Sequence, residues 1–325
     1  MANKQKKNQK VEIIIGIVVL VLLLFGVLKI DDKGNISFAG NGEIIEDIEE
    51  SSNGKNINVE DNELQPFTSV NGELLVYYFD VGQADSIFIY NNGESMLIDA
   101  GNNPDGKLIC DYLTSLGITK VDYLVGTHPH EDHIGGLDNV IKSFDIGTIY
   151  MPKKSTTTKT FEDVVNAVSN KKLKIKSPKV GSTFNVGDAV CEVMLKRDEA
   201  EDANLTSICI KLTYGSKSFL FTGDMETENE KERTWDDIDV LKVAHHGSSS
   251  SSSKDFLSQT KPEIAIISCG QNNDYGHPHK EVLKRLKNSE SEVYRTDLLG
   301  TILVKCDGEN IEIEPLEVCL DGNEQ

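Results

Sequence analysis

The sequence predicts an α/β protein with two β-sheets covered by helices, preceded by one transmembrane helix. Three observations support this prediction: strand-like runs recur from Glu73 onward, helix-like segments are interspersed among them, and an apolar run stands near the N-terminus. Strands that first follow one another closely and later return after helices are typical of packed sheets with helices outside. One domain over residues 71–325 accommodates all of these segments.

The N-terminal segment has the charge and the length of a membrane anchor. Residues 1–10 form a basic tail with four lysines, and an unbroken apolar run fills most of residues 11–30. About twenty residues at 1.5 Å per residue cross a hydrocarbon layer of roughly 30 Å. Because lysines precede the run and two aspartates follow it, we expect a single-pass protein of the cell membrane with a cytoplasmic N-terminus and its domain outside. A cleaved signal peptide and a secreted protein are the alternative.

Charge and composition separate a linker from the domain. Residues 31–70 are rich in Asn, Gly, Ser and acidic residues, which is typical of a flexible, self-repelling stalk. From Leu64 onward, 42 acidic and 26 basic residues leave a net charge of −16, so the domain itself is acidic. An acidic surface repels polyanions, and tight nonspecific nucleic-acid binding takes its affinity from Lys and Arg contacts to phosphate.

The strand-like runs are short, β-branched or aromatic, and separated by glycine and asparagine. ELLVYYFDV, SIFIY and SMLIDAG follow one another directly, and a helix-like segment at residues 107–116 leads to VDYLVGT. Further strand-like runs include AVCEVMLK, SICIKLTYG, KSFLFTGD, DVLKVAHH, EIAIISCG and TILVKC. Helix-like segments lie near residues 161–169, 228–234 and 279–287.

The stretch THPHEDHIGG places His128, His130, Asp132 and His133 within six residues, directly after a strand-like run. Imidazole nitrogen and carboxylate oxygen are ligands that suit Zn²⁺ and Mn²⁺. The spacing offers the first two histidines to one cation and the last two residues to a second. Asp99, in LIDAG, is predicted to accept hydrogen bonds from this loop rather than to bind metal.

The remaining histidines and one aspartate extend the predicted metal site. All seven histidines fall into three tight clusters, of which the other two are KVAHHGS, with His245 and His246, and YGHPHKE, with His277 and His279. Histidines scattered through a core would not group in this way. FLFTGDM places Asp224 after a strand-like run, where a carboxylate can bridge two cations.

The order LIDAG, THPHEDHIGG, FTGD and KVAHHGS resembles the metallo-β-lactamase fold, a four-layered αββα sandwich with its metal site at one edge of the sheets. Within that superfamily, FDVGQADS, NLTS, YGHPH and RTDLLGTI resemble the hydrolase domain of the ComEC competence family. The resemblance runs from about Leu74 to Val304 and implies a domain outside the membrane that degrades a DNA strand. The family's multi-helix channel does not occur in this sequence, so we expect a stand-alone hydrolase without a transport function.

The resemblance implies a role for each matching residue. His128 and His130 would hold the first cation, Asp132 and His133 would hold the second, and Asp224 would bridge the two. Zn²⁺ and Mn²⁺ both suit such a site, and two ions are expected.

The resemblance leaves the last ligand open. One of His245 and His246 would join the second cation, but the family's last histidine could instead match His277 or His279, which would otherwise be general acids. The family also places a third first-site histidine before the bridging aspartate, and no histidine occurs between His133 and His245. The first site is therefore expected to be incomplete, weaker, or completed by solvent or substrate.

The predicted catalytic residues are Asp132, His279 and Ser207. Metal-activated water would be the nucleophile, and Ser207 or Ser248 would stabilise developing negative charge on a phosphoryl oxygen. Lys242 could add positive charge or could be a solvated surface residue.

These features predict a membrane-anchored, extracytoplasmic, metal-dependent hydrolase. A phosphodiesterase or nuclease is favoured, with phosphodiester substrates that include single-stranded DNA. The alternatives are an esterase for cell-wall or small-molecule phosphodiesters of the phosphorylcholine or teichoic type, and a non-catalytic binding module. The missing third histidine disfavours β-lactam hydrolysis, and no protein partner is predicted.

Overall fold

The computed structural model describes residues 28–30, 36–38 and 72–316. Strand β1 (Leu28–Ile30) pairs antiparallel with β2 (Ile36–Phe38). The last three residues of the predicted anchor, 11–30, are thus strand rather than helix, because their backbone groups pair with another strand. The rest of the anchor prediction, the tail 1–10 and most of the stalk lie outside the described residues. No helix of the described segments combines the length and apolar composition that crossing a bilayer requires.

One sheet of residues 72–316 has eight strands. Their bounds are β3 (Leu74–Tyr78), β4 (Ile87–Asn91), β5 (Glu94–Ile98), β6 (Lys120–Val125), β7 (Asp145–Tyr150), β8 (Ile175–Lys176), β16 (Thr301–Cys306) and β17 (Ile311–Leu316). The spatial order is β17-β16-β3-β4-β5-β6-β7-β8. Pairing is antiparallel from β17 to β5 and parallel from β5 to β8.

The other sheet has seven strands. They are β9 (Thr183–Val186), β10 (Ala189–Leu195), β11 (Cys209–Tyr214), β12 (Lys217–Phe221), β13 (Val240–Lys242), β14 (Ile264–Ile267) and β15 (Glu292–Arg295). These strands lie side by side in their chain order, from β9 at one edge of the sheet to β15 at the other. The first four pair antiparallel, and β12 to β15 run parallel.

Helices lie at the four predicted segments, with shifted ends, and four further helices at residues 131–134, 137–143, 254–260 and 296–299 were not predicted. The α-helices are Gly106–Ser115, Glu131–Ile134, Leu137–Ser143, Lys159–Asn170, Thr227–Glu230, Lys254–Thr260, Lys280–Asn288 and Thr296–Leu299. Short 3₁₀ turns cover Asn103–Asp105, Asn204–Thr206 and Ala244–Gly247. The helix predicted near residues 228–234 is one turn long and ends at Glu230.

Three apolar clusters build four layers. Side chains such as Val76 and Phe219 fill the space between the sheets. Ile109 and Val164 pack helices on the outer face of the eight-stranded sheet, and Phe256 does the same for the seven-stranded sheet. Each fully buried large apolar side chain contributes roughly 1.5–3 kcal/mol. This arrangement confirms the predicted αββα sandwich.

The parallel strands determine where the chemistry lies. Parallel neighbours in each sheet end at the same edge, so the loops after β5, β6, β12 and β13 meet there. Those loops hold the sequence motifs with ligand-type side chains. The fold therefore brings together residues that are far apart in the chain.

Candidate metal centre

The ligand loop after β6 is held by close backbone packing against the LIDAG loop. A Cβ on Gly135 would lie 2.2 Å from the backbone carbon of Asn102, and one on Gly136 would lie 2.3 Å from the carbonyl oxygen of Ala100. The amide of Ala100 also donates to the carbonyl oxygen of His133 at 2.7 Å. Only glycine permits this approach, which is why the motif ends in two glycines.

Ligand atoms of three other residues gather around one carboxylate oxygen of Asp224. The Oδ1 atom of Asp224 lies 3.2 Å from Nε2 of His133 and 3.8 Å from Nε2 of His246. The same nitrogen of His246 lies 3.3 Å from Oδ2 of Asp132. One ligand atom from each of the four residues lies within 4.8 Å of the others. This set has the residue types and compactness of a divalent-cation site.

A second donor set faces the other oxygen of the same carboxylate. The Oδ2 atom of Asp224 lies 3.6 Å from Nε2 of His245 and 3.9 Å from Nε2 of His128. His130 joins this side, with Nδ1 3.0 Å from Nε2 of His128. The two adjacent histidines of HHGS thus face different oxygens of Asp224, and both have positive φ values, 50° and 51°. His245 therefore lies on the side of His128 and His130, the predicted first cation site, for which the sequence has no third histidine before Asp224.

The donor set fits a cation because three of the buried atoms that face its centre have no hydrogen-bond partner. His133 donates from Nδ1 to Asp99 at 2.8 Å, and His246 donates from Nδ1 to the carbonyl oxygen of Ser268 at 3.0 Å. These bonds leave each Nε2 directed towards the centre. The Nε2 atoms of His133 and His246 and Oδ1 of Asp224 are buried without hydrogen-bond partners. Buried polar atoms are almost always paired, so three such atoms together fit a bound metal ion.

Asp99 supports the ligand loop from behind, as the sequence predicted. Its Oδ1 accepts the backbone N–H of Thr127 at 2.8 Å, and its Oδ2 accepts the Thr127 hydroxyl at 2.7 Å. The residue is buried and adopts φ +60°, an uncommon conformation outside glycine. The hydrogen bond to His133 fixes the ring orientation and tautomer that metal binding needs.

A buried ion pair adjoins His246 and was not identified from the sequence. Nζ of Lys242 lies 2.8 Å from Oδ2 of Asp85, and both side chains are almost fully buried. Oδ1 of Asp85 lies 3.4 Å from Nδ1 of His246. Neither sequence-based role for Lys242, free positive charge or solvated residue, matches this position. A lysine between apolar residues of a central strand was the available signal, because lysine is almost never buried unpaired.

The centre combines positively charged histidines with negatively charged carboxylates. Burial opposes charge on His133 and His246, but surrounding carboxylates, Asp224 foremost, raise the pKa of His133 well above its ordinary range and that of His246 to about 10. Burial would raise the pKa of Asp224, yet the two imidazolium groups hold that pKa well below its usual value. Burial and the nearby charge of His133 depress the pKa of His128. Protons thus balance the carboxylates in the metal-free centre.

The residues predicted to be catalytic occupy different surroundings. The Ser207 hydroxyl accepts the backbone N–H of Asp224 at 3.1 Å and is fully buried behind the ligands. The His279 Nδ1 atom accepts the backbone N–H of Ser249 at 2.8 Å. His277 lines the cavity next to the donor sets. The third histidine cluster follows a loop of about ten residues after β14 rather than the strand end itself.

An open cavity of about 340 Å³ leads to the centre. Its lining combines ligand-type residues with polar and aromatic side chains: Gln83, His130, Glu131, Asp132, Asn204, Asp224, His245, His246, Tyr275 and His277. Among these described residues there is no lysine or arginine. A substrate would therefore meet the donor sets and an acidic rim that has no lysine or arginine among its described residues.

Metal binding is expected to release protons at neutral pH. A histidine must be unprotonated to coordinate a metal, whereas the raised pKa values leave His133 and His246 protonated at pH 7. Calorimetric titration of Zn²⁺ or Mn²⁺ in buffers of different ionisation enthalpy should show release of about one to two protons per chain. Affinity should rise with pH, by up to about tenfold per unit for each proton released, and this rise should level off for His246 above pH about 10.

A matched variant tests the source of those protons. His246→Gln should release about one proton fewer than the wild-type chain. Metal affinity that is independent of both pH and buffer between pH 6 and 8 would contradict the assignment.

Comparison with known proteins gives one family. A family model described as the metallo-beta-lactamase superfamily matches residues 79–271. The chain is 34% identical to "ComE operon protein 3" of Bacillus subtilis, over 74% of this chain and 34% of that protein. It is 28% identical to "Competence protein ComA" of Neisseria gonorrhoeae, over 71% of this chain and 32% of that protein. The chain thus spans about a third of the length of these curated relatives.

A solved structure shows the same fold. The metallo-beta-lactamase fold protein YhfI from Bacillus subtilis superposes with a TM-score of 0.50 at 14% sequence identity. The match covers 73% of this chain and all of that structure. At this identity the similarity concerns the fold alone.

Proposed function

This chain belongs to the metallo-beta-lactamase superfamily and is a metal-dependent hydrolase related to competence proteins; we propose that it cleaves phosphodiester bonds, as a phosphodiesterase or nuclease. The observation that carries the proposal is the convergence of Asp132, His133, Asp224 and His246 within 4.8 Å beside an open cavity. Sites of this kind hydrolyse ester and phosphoester bonds with metal-activated water. The likeness to competence proteins favours single-stranded DNA among the substrates.

The centre would hold two divalent cations, Zn²⁺ or Mn²⁺. In this assignment, His133 and His246 would hold one cation, His128 and His245 would hold the other, and Asp224 would offer one oxygen to each. The distances from Asp224 to these four nitrogens support the division. His245 would then take the place of the third histidine of the first cation site.

Single-histidine variants test the division. His246→Ala and His245→Ala are each expected to lower bound metal from about two ions per chain to about one, because each histidine serves a different side of Asp224. Metal content and calorimetry measure the result. His279→Ala is the matched control, since its Nδ1 faces Ser249, and it should retain both ions. Unchanged stoichiometry and affinity in His245→Ala would contradict the division.

The chain's own residues would prepare the site for the reaction. When bound, the cations acidify water and stabilise negative charge on a phosphoryl oxygen. Asp99 holds His133 in the tautomer that presents Nε2. Ser207 holds the backbone of Asp224 in place. His277 faces the cavity, but burial and the nearby charge of His246 lower its pKa to about 4, so it is a neutral ring at pH 7 rather than a general acid. His279 could give a proton to the leaving oxygen only through Nε2.

A second candidate function has one supporting observation. The described lining of the cavity has carboxylates and no lysine or arginine. Long polyanions take much of their affinity from such cationic side chains, whereas a small or wall-bound phosphodiester does not need them. A cell-wall or small-molecule phosphodiesterase of the phosphorylcholine or teichoic type is therefore the alternative, and a non-catalytic binding module is the nonenzymatic one.

Hydrolysis assays distinguish these functions. The purified chain should cleave bis(p-nitrophenyl) phosphate and labelled single-stranded DNA with added Zn²⁺ or Mn²⁺, and chelator should stop both reactions. Cleavage of the small ester alone would favour the wall or small-molecule enzyme. No cleavage of either substrate with metal bound would favour the binding module.

We further propose that the domain lies outside the cell membrane on a single-pass anchor. The support is the apolar run within residues 11–30, which follows four lysines, and the relatives' association with competence. The domain should be found in the membrane fraction of untreated cells. Protease added to intact cells should degrade it. Resistance to that protease, or release of the domain into the medium, would contradict the anchored topology.

A further inference from the structure

The mouth of the cavity carries an exposed aromatic ring. Tyr275 is 68% exposed, the highest value among the large apolar side chains of the described residues. A single exposed apolar residue normally needs no explanation. Tyr275, however, lines the same cavity as Asp132, Asp224 and His246. Its free face is therefore available to whatever enters the centre.

Tyr275 continues a row of nearly parallel rings that begins at the donor set. The ring centroids of Tyr275 and His277 are 5.6 Å apart, with an interplanar angle of 21°. Those of His277 and His246 are 6.3 Å apart, with an angle of 22°. Because His246 is a ligand-type residue, the row forms a wall from the centre to the solvent. A planar group bound beside a phosphate at the centre would meet this wall.

The loop that carries Tyr275 is fixed by internal hydrogen bonds. The Asn273 amide nitrogen donates to the carbonyl oxygens of Gly270 and His277 at 2.9 and 2.6 Å. Its Oδ1 accepts the backbone N–H of His277 at 3.0 Å, and Gly276 turns the chain with φ +71°. Binding to a preorganised ring costs little additional conformational entropy. These bonds hold the backbone on both sides of Tyr275, and the ring itself lies against His277.

The charge around the cavity limits how a nucleic acid could be recognised. Glu131 and Asp132 lie on the rim, and no lysine or arginine occurs among the described lining residues. The side-chain contacts that normally bind the phosphates of a strand are missing there. Stacking of bases on aromatic rings is the other general source of affinity for single strands, and it tolerates any base.

We propose that Tyr275 stacks against a nucleobase next to the scissile phosphodiester, so that the substrate is a nucleotide chain. The inference rests on the proposed phosphodiesterase function and specifies its substrate class. A glycerol or teichoic phosphodiester has no planar ring to place on Tyr275. A choline ester would instead place a quaternary ammonium group over the ring.

The test compares substrates that differ only in their bases. The kcat/KM values are measured for dithymidine phosphate and for its abasic counterpart, with wild-type chain, Tyr275→Ala and Tyr275→Phe. Tyr275→Ala should lower kcat/KM about 5- to 150-fold on the base-bearing substrate, the range that loss of one base stack produces. It should leave the abasic substrate unchanged, and Tyr275→Phe should retain wild-type values on both. Leu298→Ala, at an exposed apolar residue outside the cavity lining, is the matched control.

The remaining outcomes separate the two proposals. Equal losses on both substrates, or a selective loss with a p-nitrophenyl phosphorylcholine substrate, would overturn the base-stacking role while leaving hydrolysis established. If the wild-type chain cleaves neither substrate with metal, the proposed function fails, and fluorescence anisotropy then tests the stacking role directly. Tighter binding of labelled oligothymidylate than of the abasic strand, lost in Tyr275→Ala, would support stacking, and equal binding of both strands would overturn it.

Discussion

Asp224→Asn is expected to lower the kcat/KM for phosphodiester hydrolysis by about 10³-fold or more while the protein stays folded. Among the described residues, only this carboxylate presents one oxygen to His133 and His246 and its other oxygen to His245 and His128. An amide of the same shape offers one oxygen, carries no negative charge and places an N–H donor where a cation would bind. Metal contributes several kcal/mol of transition-state stabilisation, at about 1.4 kcal/mol per tenfold in rate.

The measurement combines kinetics with metal content and circular dichroism. Asp111→Asn is a matched control, because that carboxylate is exposed, pairs with Lys107 on its own helix and does not line the cavity. Such surface pairs contribute roughly 0–1 kcal/mol, so its activity should equal that of the wild-type chain. Folded Asp224→Asn protein with activity within tenfold of wild type would show that the carboxylate does not organise the reaction.

Lys242→Met is expected to reduce the free energy of unfolding by about 3–5 kcal/mol, because it leaves the buried Asp85 carboxylate without its cation. Both side chains are nearly inaccessible, and their charged atoms are 2.8 Å apart. The neighbouring Lys242 charge, together with His246, is what holds the pKa of Asp85 below its usual value against the effect of burial. Because Asp85 also faces His246, metal affinity should fall about 10- to 100-fold, as when other groups supporting a ligand are lost.

Urea unfolding of the metal-free chain measures the stability effect. Lys305→Met is the matched control, because its pair with Glu314 is half-exposed and should contribute no more than about 1 kcal/mol. The double variant Asp85→Asn with Lys242→Met should recover much of the loss, since neither buried charge remains. A Lys242→Met protein no less stable than Lys305→Met would contradict the role of the ion pair.

The chemistry of the centre could be predicted from the sequence because ligand types and their local spacing are written in it. His128, His130, Asp132 and His133 leave one strand end together. The structure brings three of them to Asp224 and places His130 against His128. The two layers of sheet and their covering helices also followed from strand-like and helix-like runs. These features depend on neighbouring residues, whose relation the chain itself fixes.

Other features could not be predicted because they depend on the packing of distant segments. The adjacent residues His245 and His246 face different oxygens of Asp224, and their spacing in the sequence does not reveal which residue faces which oxygen. The apolar strand around Lys242 indicated that this lysine is buried, but not that Asp85 is its partner, because Asp85 lies in the loop before β4 of one sheet and Lys242 ends β13 of the other. Residues 28–30 pair as a strand, although they are the last residues of the segment 11–30 that was predicted to be a transmembrane helix. Backbone pairing there outweighs local periodicity.

The sequence by itself determined the kind of chemistry, a divalent-metal hydrolase centre, since residue type decides which ions can be bound. The tertiary structure alone decided which nitrogen faces which carboxylate oxygen, that His277 rather than His279 lines the cavity, and that Tyr275 stands at its mouth. The physical reason is that coordination and recognition depend on distances of a few ångströms between segments far apart in the chain. Only the packing of the two sheets sets those distances.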